Sequence, residues 1–339
     1  MDDDKELFIS YASRDGFDAN QMLEKEYFIF YPEIFSVYNT LLELYCYYGS
    51  VNCFKFLRSK YNSKMYLRDL ERSFLGGNPA IINECLKFLK PDQDCMEYAI
   101  ILHNIDFITY LKNEYDLKIN LDSCCQYNNL QALLIYLNET QDIKKCFIYS
   151  SGFNIPSICE YFLNHGADVN EKEEIHSRIP LHFAAQYNCK EIAEILISHG
   201  SNIDALSYYN TITPLFNAVE FNSLETADLL LSHGADIAEF NINGIAPFTA
   251  AIVERNKEMI EIFLSHCSDV NIKFSGITLL HYAVLFNSKE LAELLISKGV
   301  NVNKKDKDGR TALYYAESTE QNELIELLMS NGADVSSKD

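Results

Sequence analysis

Positive charge is scarce in this sequence and long apolar runs are missing, and both absences narrow its function. The 339 residues hold 28 Lys and Arg against 49 Asp and Glu, a net charge of −21. Residues 1–150 carry 15 basic against 22 acidic groups, and residues 151–339 carry 13 against 27. Diffuse repulsion of phosphates argues against nucleic acid or an anionic membrane as a partner. The best candidate for a basic strip is NKKDKDGR at 303–310, which Asp306 and Asp308 interrupt. No apolar stretch approaches the roughly 18 residues needed to span a bilayer. The greasiest segment, YFIFYPEIF at 27–35, reads as buried helix or turn material. The opening MDDDKELF lacks the basic end and apolar core of a secretion signal, so a cytoplasmic location is expected.

Chemistry-bearing motifs are missing too. There is no HExxH and no glycine-rich phosphate loop. The ten cysteines show no compact metal spacing, and Cys124 and Cys125 are adjacent rather than a CxxC pair. They read as buried small hydrophobes. No catalytic residue, no metal ligand and no cofactor is expected. With 48% hydrophobic and 23% charged residues, the chain is nevertheless expected to fold.

What the sequence does hold is a repeat. The phrase NHGADVN returns as SHGSNID, SHGADIA, SHCSDVN, SKGVNVN and NGADVS. Gly166, Gly200, Gly234, Cys267, Gly299 and Gly332 mark it at a nearly constant period of about 33 residues. Each clear unit pairs a segment such as IPLHFAAQYN or TPLFNAVEFN with a second one such as KEIAEILISHG or LETADLLLSHG. Thr213, Thr278 and Thr311 suit helix N-caps, and Pro180, Pro214 and Pro247 suit first helical positions. Ala184, Ala218, Ala251, Ala283 and Ala316 let helices approach closely. Ile192, Ile195 and Leu196 form an apolar stripe, as do Leu291, Leu294 and Leu295.

A catalytic histidine is not copied once per structural unit. His165, His199, His233 and His266 fall at the last turn of the second helix, where they can meet its terminal carbonyls. His182 and His281 are expected to hydrogen-bond into the preceding turn.

This pattern resembles the ankyrin repeat family, whose units read roughly TPLHxAA followed by a helix ending in HGADVN. Residues 178–339 carry it, and CEYFLNHGADVN at 159–170 supplies the tail of an earlier, worn unit. The resemblance implies an all-α solenoid of L-shaped αα-hairpins with short β-hairpin fingers, binding through the fingers and the concave helical face. Cys267 in place of glycine, Ile179 and Ala246 in place of threonine, and Leu279 and Ala312 in place of proline are local departures.

The first half keeps only the rhythm. Phe56-Leu57, Phe88-Leu89, Tyr110-Leu111, Tyr136-Leu137 and Phe162-Leu163 are the expected anchors. Their spacing is irregular and for the most part shorter than the later period. So short a period leaves room for two helices but little for a finger, and fingers are expected only in the later half. The layout resembles protozoan ankyrin proteins with a diverged helical amino-terminal region. The expected organisation is a helical cap or tail at 1–35, diverged helical hairpins at 36–142, and an ankyrin repeat domain at 143–339. A rival lies in LFISYASRDG at 7–16, which resembles the opening strand and loop of a TIR domain. That likeness would imply an NAD-cleaving enzyme with Glu24 or Glu43 as its acid.

A non-catalytic protein-binding scaffold or adaptor is the expected function, with a structural subunit of a larger assembly as the alternative. Turn residues expected to be exposed for protein binding are Glu173, Glu174, Tyr208, Tyr209, Asn241, Lys273, Phe274, Lys305 and Lys307. Acidic surfaces favour a protein partner with a basic patch. At the carboxyl end, Leu324, Leu327 and Leu328 are expected to pack inward while Glu323 and Glu326 face solvent.

Overall fold

Helix pairs account for nearly all regular structure in the computed structural model, which describes residues 4–14, 16–20, 22–24, 38–207, 211–238, 241, 243 and 245–334. The apolar segment at 27–35 lies outside the described residues. The chain divides into two compact units, Met1–Gln141 and Asp142–Asp339.

The first unit contains α1 (Lys5–Ala12), β1 (Met22–Glu24), β2 (Tyr38–Thr40), α2 (Leu41–Tyr48), α3 (Val51–Tyr61), α4 (Leu67–Gly76), α5 (Pro79–Leu86), α6 (Gln93–Ile101), α7 (Ile105–Tyr115), α8 (Leu121–Gln126) and α9 (Leu130–Thr140). First helices stack on first helices, α2 on α4, α4 on α6 and α6 on α8; second helices follow, α3 on α5 and α7 on α9. Only residues 62–66, 87–92 and 116–120 join one pair to the next, which is too little chain for a finger.

Second-helix N-caps show the true period. Ser50, Asn78, Asn104 and Asn129 hold the same place in successive pairs. Their spacing is far more even than that of the aromatic anchors. Asn78 and Asn129 act twice. Asn129 accepts from the Ala132 amide at 3.0 Å and donates to the Ile100 carbonyl of the preceding first helix at 2.9 Å. Asn78 links Ala80 and Gly49 in the same way. The uneven anchor spacing around Phe88 was a register error: α5 ends at Leu86, so Phe88 lies beyond it and is 65% exposed. Ile81, Ile82 and Cys85 fill the core there instead.

The TIR-like rival also fails in this unit. LFISYASRDG begins in a helix, since α1 runs from Lys5 to Ala12 and Asp4 accepts the Leu7 amide at 2.9 Å. A helix therefore stands where a TIR domain would place its opening strand. A short ladder does exist, but β1 and β2 pair antiparallel, not in the parallel sheet of a TIR domain.

The second unit contains α10 (Ile143–Ser150), α11 (Pro156–Asn164), α12 (Pro180–Gln186), α13 (Lys190–Ser198), α14 (Pro214–Glu220), α15 (Leu224–Ser232), α16 (Pro247–Val253), α17 (Lys257–His266), β3 (Lys273–Phe274), β4 (Ile277–Thr278), α18 (Leu279–Leu285), α19 (Lys289–Ser297), α20 (Ala312–Ser318) and α21 (Asn322–Ser330). Here α10, α12, α14 and α16 stack in order, α18 packs on α20, and the second helices α11, α13, α15 and α17 stack likewise. Each first helix is short because the αL residue that follows it stops it, at Asn188, Asn222, Arg255, Asn287 and Glu320.

Local chemistry follows the repeated residues. Prolines 180, 214 and 247 each open a helix. Thr213 and Thr311 cap through their hydroxyls. Thr278 makes no such bond; its hydroxyl pairs with His281 Nδ1 at 2.6 Å. The five expected alanines, with Leu196, Leu230 and Leu295, are fully buried. Leu324 and Leu328 are buried at the last helix, Leu327 is half-buried, and Glu323 and Glu326 are exposed. Nine of the ten cysteines are buried, and Cys267 is half-buried.

Candidate protein-interaction surface

The histidines hold the frame. Rings of His165, His199 and His233 meet the carbonyls of Tyr161, Ile195 and Leu229 at 2.7, 2.8 and 2.9 Å, just before left-handed glycines. His233 is thus a helix cap. His266 differs because Cys267 is extended (φ −81°) where glycine would turn; its Nε2 meets Asp228 Oδ1 at 2.7 Å. His182 Nδ1 accepts the Ile179 amide, which leaves Nε2–H to donate to the Ile212 carbonyl of the next unit at 3.0 Å. His281 reaches Arg310 in the same way. Burial pushes the pKa of His182 down to about 4 and that of His281 in the same direction. These rings join neighbouring units as well as their own turns.

A second ladder runs through the HGADVN tails. Asn202, Asp236, Asn301 and Asp334 donate their amides to side-chain oxygens of Asn170, Asp204, Asn271 and Asn303, each in the preceding unit, at 2.7–2.9 Å. The finger roots are therefore fixed to one another.

Finger bases explain several of the expected binding residues. Glu173, Ser207, Asn241 and Asp306 donate their amides to Arg178, Ile212, Ile245 and Arg310, and Phe274 pairs with Ile277 across β3 and β4. These five positions recur once per repeat. The polar side chains among them fold into the finger, and Phe274 sets its ring against Phe248 of α16. Glu173 accepts from the Ile175 and His176 amides, at 2.8 and 2.6 Å, and from Arg178. Burial opposes its charge, but those donors outweigh it and hold the carboxyl below its usual range. Asp306 takes the Asp308 and Arg310 amides and the Tyr315 hydroxyl, and Asn241 takes the Asn243 and Ile245 amides. The expectation that Glu173 and Phe274 are exposed is therefore corrected: both are buried, and Asn241 is half-buried.

Glu174, Lys273, Lys305 and Lys307 are exposed at the fingers. Lys307 also fixes the neighbouring finger, donating its amide to the Gly276 carbonyl at 2.9 Å. Gly276 is left-handed (φ +84°), and a β-carbon there would come within 2.8 Å of Lys307 Cβ. Tyr208 and Tyr209 lie outside the described residues.

Sequence reasoning did not single out the exposed face of the first helices. Phe221, Val253 and Leu285 stand out at the ends of α14, α16 and α18, between 42% and 50% exposed. Between α14 and α16 a groove of about 650 Å³ is lined by apolar Phe216, Ile245 and Val253 and by Glu220, Glu254 and Glu258. An apolar floor with an acidic rim can hold an apolar side chain that has basic neighbours.

In the first unit, α4 and α6 bring carboxylate oxygens of Glu71, Asp92 and Asp94 within 4.8 Å of one another. Asp92 caps α6 by accepting the Cys95 amide, so the helix N-terminus accounts for charge gathering there.

The repeats also register in comparison with known proteins. A 54-residue stretch is 41% identical to the Ankyrin repeat protein OPG189 of Monkeypox virus, covering 16% of this chain and 10% of that protein. This chain thus spans about a tenth of the curated relative. Among solved structures, the ankyrin repeat domain of Bcl-3, a member of the IkappaB protein family, superposes with a TM-score of 0.49 at 21% identity. That alignment covers 69% of this chain and 97% of that one. Residues 53–136 match a domain of unknown function, DUF3447. Ankyrin repeats in sets of three copies match residues 121–207, 147–241 and 248–339, well over half the sequence. The chain belongs to the ankyrin repeat family, a class of non-catalytic scaffolding modules.

Proposed function

We propose that this protein is a cytoplasmic scaffold or adaptor that grips a partner protein through its fingers and the exposed, concave face of its first helices. The observation that carries the reading is the apolar groove between α14 and α16 with its rim of Glu220, Glu254 and Glu258. A partner with a basic patch around an apolar side chain matches it, and phosphate polymers do not. Tyr208, Tyr209, Glu174, Lys273, Lys305 and Lys307 would extend the contact along the fingers. The hairpins before residue 143, like the helical leaders of protozoan ankyrin proteins, would act as a second module of the same scaffold.

Affinity purification from native extract, followed by mass spectrometry, tests this. An adaptor recovers a stoichiometric partner whose binding is lost when Glu220 and Glu254 are replaced by lysine. Recovery that these replacements leave unchanged sinks the groove reading. Abundant self-association instead would favour a structural subunit.

A further inference from the structure

The acidic balance of the chain is broken most strongly in the first unit. From Val51 to Arg68 the sequence carries Lys55, Arg58, Lys60, Lys64 and Arg68 and no Asp or Glu. This segment covers α3 and the turn into α4, so the helix and its exit gather the charges in one place. The NKKDKDGR strip has no comparable concentration, because Asp306 and Asp308 interrupt it.

Beside these charges lies exposed apolar surface. A groove of about 470 Å³ is lined by Lys5, Lys55, Phe56, Arg58, Met65 and Phe88, among others. The Arg58 guanidinium lies 5.4 Å from the Phe88 ring centre, and the Lys60 ammonium lies 5.3 Å from that of Phe56. Each cation therefore rests on an aromatic ring that lines the groove. Phe88 packs so little that its exposure has no folding explanation; α5 has already ended before it. The groove's own carboxylate, Glu84, is held below its usual range chiefly by its hydrogen bond to Lys87, with Lys55 and Arg58 adding to the effect.

We propose that this groove docks an acidic peptide segment of a partner protein, with one apolar side chain seated against Phe56 and Phe88 and its flanking carboxylates facing Lys5, Lys55 and Lys60. Charge complementarity selects the acid, and the shortness of the basic track selects a peptide over a nucleic acid. A sugar-phosphate chain would need a longer basic track, and the net charge of −21 repels it. This groove belongs to the first unit, whereas the acidic groove belongs to the second, and it takes a partner of opposite sign.

The test uses the full chain and a fluorescein-labelled short peptide in which aspartates and glutamates flank a Leu-Phe pair, read by anisotropy. Binding is expected to weaken by at least about tenfold in Lys55→Glu/Lys60→Glu and in Phe88→Ser. Both variants leave the Arg58 bond to the Ser63 carbonyl in place, and urea midpoints check that they fold. The all-acidic peptide without Leu-Phe should bind at least about tenfold more weakly, and added salt should weaken both. No binding by the native chain, or unchanged binding in folded variants, overturns the proposal. So does a single-stranded oligonucleotide that binds as tightly as the peptide and is lost in Lys55→Glu/Lys60→Glu, because the surface would then read phosphate.

Discussion

His182 shows how a residue in a binding repeat serves the frame rather than chemistry. Its folded pKa of about 4 lies below the roughly 6.5 of an unfolded chain, so between those values the unfolded state holds the extra proton. The neutral ring's contribution is complete above about pH 6.5 and is lost as pH falls toward 4, by roughly 3 kcal/mol in all. Urea titrations across that window should show stability falling with acid, and His182→Asn should flatten the fall. An equal slope in the variant would place the titration elsewhere. Leu230, fully buried on α15, should lose about 2–5 kcal/mol on replacement by alanine. Denaturation with hydrogen exchange reads it; unchanged protection over 211–265 would reject the assignment. Histidine caps, prolines and alanines were legible because each repeats with the period. Finger-base residues were not. Glu173 and Phe274 sit in polar turns, and nothing in a turn's composition shows that Glu173 folds back onto its own finger or that Phe274 turns in against Phe248.

At the scale of elements, the two units differ by the presence of fingers. Connections between pairs in the first unit run only over 62–66, 87–92 and 116–120, against 165–179 or 199–213 in the second. The sequence showed the missing fingers through its short period, yet it misplaced the helices. Aromatics stand on exposed as well as buried positions there, so Phe88 imitated an anchor that Cys85 supplies. The asparagine caps would have been the better guide, since Asn78, Asn104 and Asn129 recur almost evenly. The close contact of α2 and α4 depends on one residue. A β-carbon on Gly76 would collide with the Cys46 carbonyl oxygen and lie 2.6 Å from that of Tyr47. Both obstacles are backbone and cannot swing aside, so Gly76→Ala should destabilise the first unit by about 1–3 kcal/mol or more. Chemical denaturation checks it. A wild-type midpoint would show that the two helices can separate freely.

For the molecule as a whole, function rests on surfaces that repetition builds but does not itself specify. Core positions recur and can be read in sequence; exposed positions vary, so the face made by Phe221, Val253 and Leu285 was not legible. It emerges only in the folded chain, where α14 packs on α16, because a full repeat of chain separates each of these residues from the next. Lone apolar residues on a surface are ordinary, but a recurring set beside acidic groups marks a place for contact. The most direct test installs a photoreactive phenylalanine analogue at Phe221, Val253 or Leu285, and at Glu261 or Glu293 on the second helices, in the full chain in cells. The scaffold account predicts that the three first-helix positions crosslink to one common protein and that the two second-helix positions do not. Crosslinks to that protein from the second-helix positions alone, or none from the first-helix positions, would contradict it.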